Sequence, residues 1–175
     1  MSKVDLSVKI GSLQLRNPIM LASGTVGYGN EISEFSNLNK LGAIVTKSLS
    51  LNPRKGNPPQ RIVETPAGML NAIGLANVGV DEFLKEKIPF LKKYDVPLIC
   101  NIAASTLEEY VECTRILDSE ETIKAFEINV SCPNVKDGGL QFGNDKNAVG
   151  NVTAKVRAVT NKPLIIKLSP NVSYI

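Results

Sequence analysis

Residues 96–129 read VPLICNIAASTLEEYVECTRILDSEETIKAFEIN, and the fold class follows from how this stretch divides. An apolar run at 96–99 leads into Asn101 and reads as a β-strand. Thr106 and Glu109 stand at the spacing of a capping box. They open a helix that carries Leu107, Val111 and Leu117. A second apolar run at 125–128 then ends on Asn129. Strand, helix and strand in close succession predict parallel strands joined by a right-handed crossover.

The same unit repeats in both directions. Val4, Leu6, Val8 and Ile10 alternate, Gly11-Ser12 turns, and Leu13 and Leu15 alternate again, so the N-terminus predicts a β-hairpin. After Pro18, residues 19–22 form a short apolar strand that ends in the loop Ser23-Gly24-Thr25. Ile32, Phe35, Leu38 and Leu41 recur at near-helical spacing and predict a helix stopped by Gly42. Residues 43–46 form the next strand, which ends on Lys47. Residues 48–77 are rich in Pro and Gly, and a connection this long is usually functional. Asp81 is expected to cap a helix with Leu84, Ile88 and Leu91 on one face, kinked at Pro89. Toward the C-terminus, Val149, Val152, Val156 and Val159 mark another amphipathic helix. Residues 163–166 form a fifth strand ending on Lys167. The expectation from this order is an α/β fold with a parallel sheet, either a βα barrel or a doubly wound sheet, preceded by an N-terminal hairpin.

Composition narrows the function. The chain has 175 residues, 43% hydrophobic and 21% charged, as in an ordinary globular domain. A net charge of +3 with mixed signs argues against nucleic acid or a membrane surface as partner. Aromatic residues are 5% and Trp is absent, so stacking platforms for single strands are not expected. No apolar run approaches the roughly 18 residues of a membrane span, and residues 1–5 carry no secretory h-region. Cys100, Cys113 and Cys132 form no CxxC pair, so neither a disulfide framework nor a zinc site is expected, and a reducing cytoplasm fits best. His is absent, so proton transfer must use Cys, Lys, Tyr or a carboxylate. Neither GxGxxG nor GxxxxGK[ST] occurs, so this chain gives no support to nicotinamide or P-loop chemistry.

One regularity points to a site. The strands are nearly apolar, yet they end at Ser23, Lys47, Asn101, Asn129 and Lys167. In a βα barrel, catalytic groups sit at the C-terminal strand ends. The plain alternative is that loops begin with polar residues. Two lysines among these ends favour a ligand of negative or electron-accepting character, because a buried Lys needs such a partner. In Asn129-Val130-Ser131-Cys132-Pro133-Asn134 a thiol follows a strand and is flanked by amides. Amides both donate and accept, which suits a planar amide-bearing ring, and a thiol of lowered pKa can take a proton. Cys100, inside a strand, and Cys113, on a helix, read as packing residues. Gly138-Gly139 and Gly143 fit either a lid after the thiol or ordinary turns.

These residues resemble the class 1 dihydroorotate dehydrogenases. The likeness rests on Asn129 to Asn134, on Asn17-Pro18, and on Leu21-Ala22-Ser23-Gly24-Thr25 with Gly27-Tyr28-Gly29. Thr46-Lys47-Ser48, Asn71-Ala72-Ile73-Gly74-Leu75 and Lys167-Leu168-Ser169-Pro170-Asn171 extend it along nearly the whole chain. The resemblance implies oxidation of dihydroorotate to orotate in de novo pyrimidine synthesis, with FMN as hydride acceptor. It implies FMN contacts from Ala22, Ser23, Lys47, Ser48, Asn101, Asn129 and Lys167. The substrate would be held by Lys47, Asn71, Ala72, Ile73, Gly74, Leu75, Asn129 and Asn134, with Cys132 as base. A thiol base resembles the soluble class, and the start at Leu21 to Thr25 looks like the NAD-linked type B. That type implies a homodimer with an electron-transfer subunit carrying FAD and an iron–sulfur cluster.

The resemblance implies an α/β fold of the (β/α)8 barrel type; the family barrel has eight strands and five are legible here, so residues 1–175 read as a single partial domain, the N-terminal part of such a barrel, ending after the fifth strand. An unclosed barrel would expose strand edges and apolar faces, giving weak stability and little activity alone. A generic phosphate-binding barrel with other chemistry ranks last, because it leaves Asn129 to Asn134 unexplained, and two other functions stay open. One is a non-catalytic fragment of this enzyme. The other is a dihydropyrimidine dehydrogenase-like flavin domain, in which His typically stands where this chain has Asn134.

Overall fold

A computed structural model describes residues 4–131, 143 and 145–169. Strands β1 (Val8–Ile10) and β2 (Leu13–Leu15) form the expected antiparallel hairpin. Strands β3 (Met20–Leu21) and β4 (Ala43–Val45) follow. An exposed antiparallel ribbon comes next, β5 (Ile62–Thr65) with β6 (Gly68–Asn71). Then come β7 (Leu98–Ile102), β8 (Ile123–Asn129) and β9 (Leu164–Lys167). One parallel sheet contains β3-β4-β7-β8-β9 in that order. Helix α1 spans 79–91, α2 is Leu107–Asp118 and α3 is Lys146–Arg157. One helix therefore lies between β4 and β7, one between β7 and β8, and one between β8 and β9. This is the strand–helix order of a (β/α)8-type barrel wall.

Both faces of the sheet are covered, which is why its strands read as apolar runs rather than as alternation. The outer face places Ile44, Leu98, Cys100, Ile102, Phe126 and Ile128 in one core with the helices. Val80, Phe83, Ile88, Tyr110, Leu117, Val152 and Val156 belong to the same core. The inner face places Ala43, Val45, Ile99 and Ala125 against Leu13 and Leu15 of the hairpin. The hairpin thus plugs the N-terminal half of the inner face. Burying a Leu or Ile fully contributes roughly 1.5–3 kcal/mol, so both layers add to stability.

The helices start where their side chains can satisfy free N–H groups. Thr106 accepts from the Glu109 N–H at 3.1 Å, as its spacing predicts. Asp145 accepts from the Asn147 N–H at 2.9 Å at the start of α3. Asp81 does not cap α1. It lies inside the first turn, where its charge favours the helix dipole. The Asn77 side chain instead accepts from the Gly79 N–H at 2.9 Å. Around Pro89 the helix continues, with a π turn at Phe83–Lys87 followed by the turn Ile88–Leu91 that holds the proline. The wider spacing of the π turn carries the ladder past the missing proline N–H.

Two expectations are corrected. Residues 32–41 form turns and a short 3-10 helix, Leu38–Lys40, rather than an α-helix, and Phe35 is 86% exposed. Gly27 and Gly29 take positive φ just before this region, and Asn30, Ser33, Ser36 and Asn37 are weak helix formers. Gly42 consequently ends no helix. Its N–H donates to the Ile19 carbonyl at 2.8 Å, and a Cβ there would sit 2.0 Å from the Asn17 oxygen. It is glycine because two chain segments meet. The β5–β6 ribbon inside 48–77 was not foreseen, because all eight of its residues are exposed and show no burial period.

Candidate active site

The pleat sends alternate residues of each strand to opposite faces. On the inner face, β7 runs from Ile99 to Asn101, β8 from Ala125 through Glu127 to Asn129, and β9 from Ile165 to Lys167. The face therefore changes from apolar to polar in the strand direction. The register pairs Asn101 with Glu127 and Asn129 with Lys167, so these side chains form adjoining rows.

Asn101 is fully buried. Its backbone N–H donates to Thr46 Oγ1 at 3.1 Å, and its Nδ2 donates to Glu127 Oε1. Its Oδ1 is buried and accepts no hydrogen bond from the described residues. A buried acceptor left unpaired costs about 1–3 kcal/mol, so this oxygen marks a place for a donor. Asn129 is arranged the other way. Its Oδ1 accepts from Ser131 N–H at 3.2 Å and from Ser131 Oγ at 2.6 Å. Its Nδ2 makes only a long 3.5 Å contact to Ser48 Oγ. Tyr110 on α2 donates its hydroxyl to the Asn129 carbonyl at 2.8 Å, which anchors the end of β8.

Lys47 and Lys167 are half-buried and form no ion pair among the described residues. The Lys47 N–H donates to the Gly27 carbonyl at 2.8 Å, which ties the end of β4 to the loop after β3. Ser23 and Ser48 are half-buried, and Ala22 is exposed. Two half-buried cations, a donor amide and an orphaned acceptor are a chemically reasonable set for FMN, whose ring carries both imide polarity and, when reduced, negative charge.

The segment 71–75 is held from both sides. Asn57 donates from Nδ2 to the Ala72 carbonyl at 2.9 Å and from its N–H to the Ile73 carbonyl at 3.1 Å. Asn77 Nδ2 donates to the Leu75 carbonyl at 2.8 Å. Leu75 has φ +55, the one positive value at a non-glycine among the described residues. Left-handed backbone costs a branched residue roughly 1–2 kcal/mol and persists only where surrounding contacts impose it. Those contacts extend far in sequence. Asn77 Oδ1 accepts from Ser50 N–H at 3.2 Å, and Arg54 Nη2 reaches Ser105 Oγ at 2.7 Å and Glu109 Oε2 at 3.4 Å. The Glu109 carboxylate also accepts from Ser105 N–H at 2.7 Å and from Leu51 N–H at 3.2 Å.

Burial pushes the Cys100 and Cys113 thiols up to about 12, as expected of packing residues. Cys132 and Asn134 lie outside the described residues. An open depression of about 640 Å³, lined by Leu51, Leu107, Val111, Glu112, Arg115 and Lys155, lies on the helix side and not at the strand ends.

Sequence reading missed Glu127, Thr46 and the Asn77–Arg54–Glu109 clamp. Glu127 had a signal: it is a charged residue inside the apolar run 125–128, two positions before Asn129 and so on the same face. The clamp had none, because its partners are joined only by the fold.

The family model described as "Dihydroorotate dehydrogenase" matches residues 5–175. The "Dihydroorotate dehydrogenase B (NAD(+)), catalytic subunit" of Geotalea daltonii is 58% identical over 173 residues, which is 99% of this chain and 57% of that protein. The proteins of the same name from Geotalea uraniireducens and Geobacter sulfurreducens are 55% and 57% identical over 175 residues, covering 100% of this chain and 57% of each. The chain thus spans 57% of the length of these curated relatives.

Proposed function

Because the chain belongs to the dihydroorotate dehydrogenase family, we propose that its strand-end site binds FMN and oxidises dihydroorotate to orotate in pyrimidine synthesis. The observation that carries the reading is the orphaned Oδ1 of buried Asn101, set in a polar layer above an apolar plug. FMN, when bound, supplies the acceptor for the hydride that leaves C6 of dihydroorotate. Lys47 and Lys167 place positive charge where the ring gains electrons, and their partial burial strengthens that attraction over its value in water. Asn101 offers an acceptor and Asn129 a donor to the ring edge. Ala22, Ser23 and Ser48 complete the cofactor side.

On the substrate side, Lys47, Asn129, Asn134 and the segment 71–75 hold the pyrimidine. Backbone groups of 71–75 suit a flat, amide-rich ring, and the clamp behind them keeps that segment in one conformation. Cys132 removes the proton from C5. Two facts support a thiol at this position in the sequence. His is absent, and burial pushes the other two thiols up to about 12, away from the thiolate a base needs. The relatives are named catalytic subunits of an NAD(+)-linked enzyme. That naming supports a separate electron-transfer partner, and the type B resemblance further implies that this partner carries FAD and an iron–sulfur cluster and that a second copy of this chain completes the assembly. Among the described residues no helix is long and apolar enough to cross a membrane. On the resemblance to the soluble class, we place the reaction in the cytoplasm.

The test is the visible absorbance of the purified protein, followed by dihydroorotate without oxygen. A flavin spectrum that bleaches on addition supports the reading. Protein that takes up no FMN, or that holds FMN and does not bleach, overturns it.

A further inference from the structure

We propose that Glu127 is a positioning residue that sets the polarity of the Asn101 amide, so that Oδ1 and not Nδ2 faces an imide N–H of the planar ring at the strand ends. The inference rests on the flavin reading of this site and adds a residue which that reading does not use. An asparagine amide is nearly symmetrical in shape, and a half-turn about its last bond exchanges donor for acceptor. Something must select one of the two orientations. A carboxylate accepts and does not donate, so only Nδ2 can face Glu127. The strand register fixes the encounter, because Asn101 and Glu127 are direct neighbours on β7 and β8 and share the inner face. Oδ1 is then left buried and unpaired among the described residues.

Asn129 is polarised in the opposite sense by a different device. Ser131 donates twice to its Oδ1, through N–H and Oγ, which leaves Nδ2 as the outward group. Glu127 and Ser131 thereby turn two identical side chains into one acceptor and one donor. An imide edge, C=O beside N–H, needs that pair. Both the flavin ring and the pyrimidine carry such an edge, and the shared chemistry is what the site selects.

The test uses four proteins: wild type, Glu127→Gln, Asn101→Asp, and the two changes combined. FMN affinity is read from flavin fluorescence quenching, and orotate affinity from its perturbation of the bound-flavin spectrum. Glu127→Gln preserves shape but no longer dictates the orientation, and is expected to weaken one of the two affinities about tenfold, the worth of one hydrogen bond. Asn101→Asp sets two carboxylates face to face and is expected to weaken it at least as much. In the combined protein the hydrogen bond is restored in reverse. The carboxylate at 101 accepts from the amide at 127, still offers an oxygen to the ring, and leaves the net charge of the pair unchanged. Affinity should return to within about threefold of wild type.

A loss in FMN affinity assigns the imide to the flavin, and a loss confined to orotate assigns it to the pyrimidine. Either supports the proposal. Unchanged affinities in Glu127→Gln overturn it, as does a loss that the combined protein does not recover. If circular dichroism shows that Asn101→Asp alone does not fold, Glu127→Gln and the combined protein decide the matter. Wild type that binds neither FMN nor orotate overturns the function reading and this inference together. Wild type that binds FMN, with all variants equal to it, overturns this inference alone.

Discussion

The inner face of the sheet is one surface with two chemistries. Its N-terminal half holds Ala43, Val45, Ile99 and Ala125 under Leu13 and Leu15 of the hairpin, all buried. Its C-terminal half holds Asn101, Glu127, Asn129, Lys47 and Lys167, with an unpaired oxygen and two cations that form no ion pair among the described residues. Only a few residues of strand separate the halves. The lower half is satisfied by the chain itself, while the upper half carries polar groups that a ligand would satisfy. If the upper half is the proposed FMN site, stability and function are divided along the strand direction, and each should be open to disturbance with little effect on the other.

The largest expected effect tests the proposed chemistry. Cys132→Ala should lower dihydroorotate oxidation by about 10²- to 10⁴-fold, the usual worth of a general base, and leave FMN bound and the urea midpoint unchanged. Steady-state turnover beside flavin absorbance reads both. Unchanged turnover removes this thiol from the chemistry. The mirror experiment tests the lower half. Leu15 is fully buried against the inner face, so Leu15→Ala should cost about 2–5 kcal/mol in urea unfolding. Folded protein should keep its FMN affinity within about threefold. A loss of affinity as large as that expected of Glu127→Gln would show that the two halves are coupled, and the division would fail.

How much of this was legible beforehand follows the same division. Elements packed against a single core leave a period in the sequence. The N-terminal hairpin, the capping of α2 by Thr106 and the Val152 and Val156 face of α3 could all be read that way. The polar strand ends were equally visible, because Lys47, Asn101, Asn129 and Lys167 interrupt apolar runs. Segments that bury no face leave no period, which hid the β5–β6 ribbon. Ile32, Phe35, Leu38 and Leu41 gave a false period, since the glycines before them and the Asn and Ser residues among them favour turns. The clamp was invisible for a third reason. Arg54 and Glu109 meet only because the fold brings distant residues together, and no local spacing records that meeting.

That clamp gives an intermediate effect, because on the proposed reading it acts on the substrate side of the site through segment 71–75. Glu109→Gln keeps the shape and removes the charge that Arg54 and two backbone N–H groups share. Hydrogen bonds to a charged group are worth about 1.5–3 kcal/mol, and part of that should appear as lost stability. The rest should appear as a looser 71–75 segment. The KM for dihydroorotate is expected to rise about three- to tenfold while kcat stays within about twofold, the pattern of lost ground-state binding. A fall in kcat with KM unchanged would mean that the clamp serves the chemical step, and the proposed role of 71–75 in holding substrate would be wrong.

The smallest effect probes the opposite side of β7. Cys100 faces the helices, between Ile99 and Asn101 of the inner face, and burial raises its thiol from 9.0 to about 12. The folded state therefore keeps its proton where the unfolded chain has released it. The sign follows from that difference. Its contribution to stability is fully present below pH 9 and declines as pH rises toward 12. Cys100→Ala removes the titration and leaves a small cavity, so it should be less stable than wild type near neutrality. The gap between the two proteins in urea midpoint should narrow over the first unit above pH 9, since only wild type has this buried thiol to ionise. A gap that stays constant or widens would mean that the thiol reaches solvent, and the outer face of β7 would be less sealed than its inner face is polar.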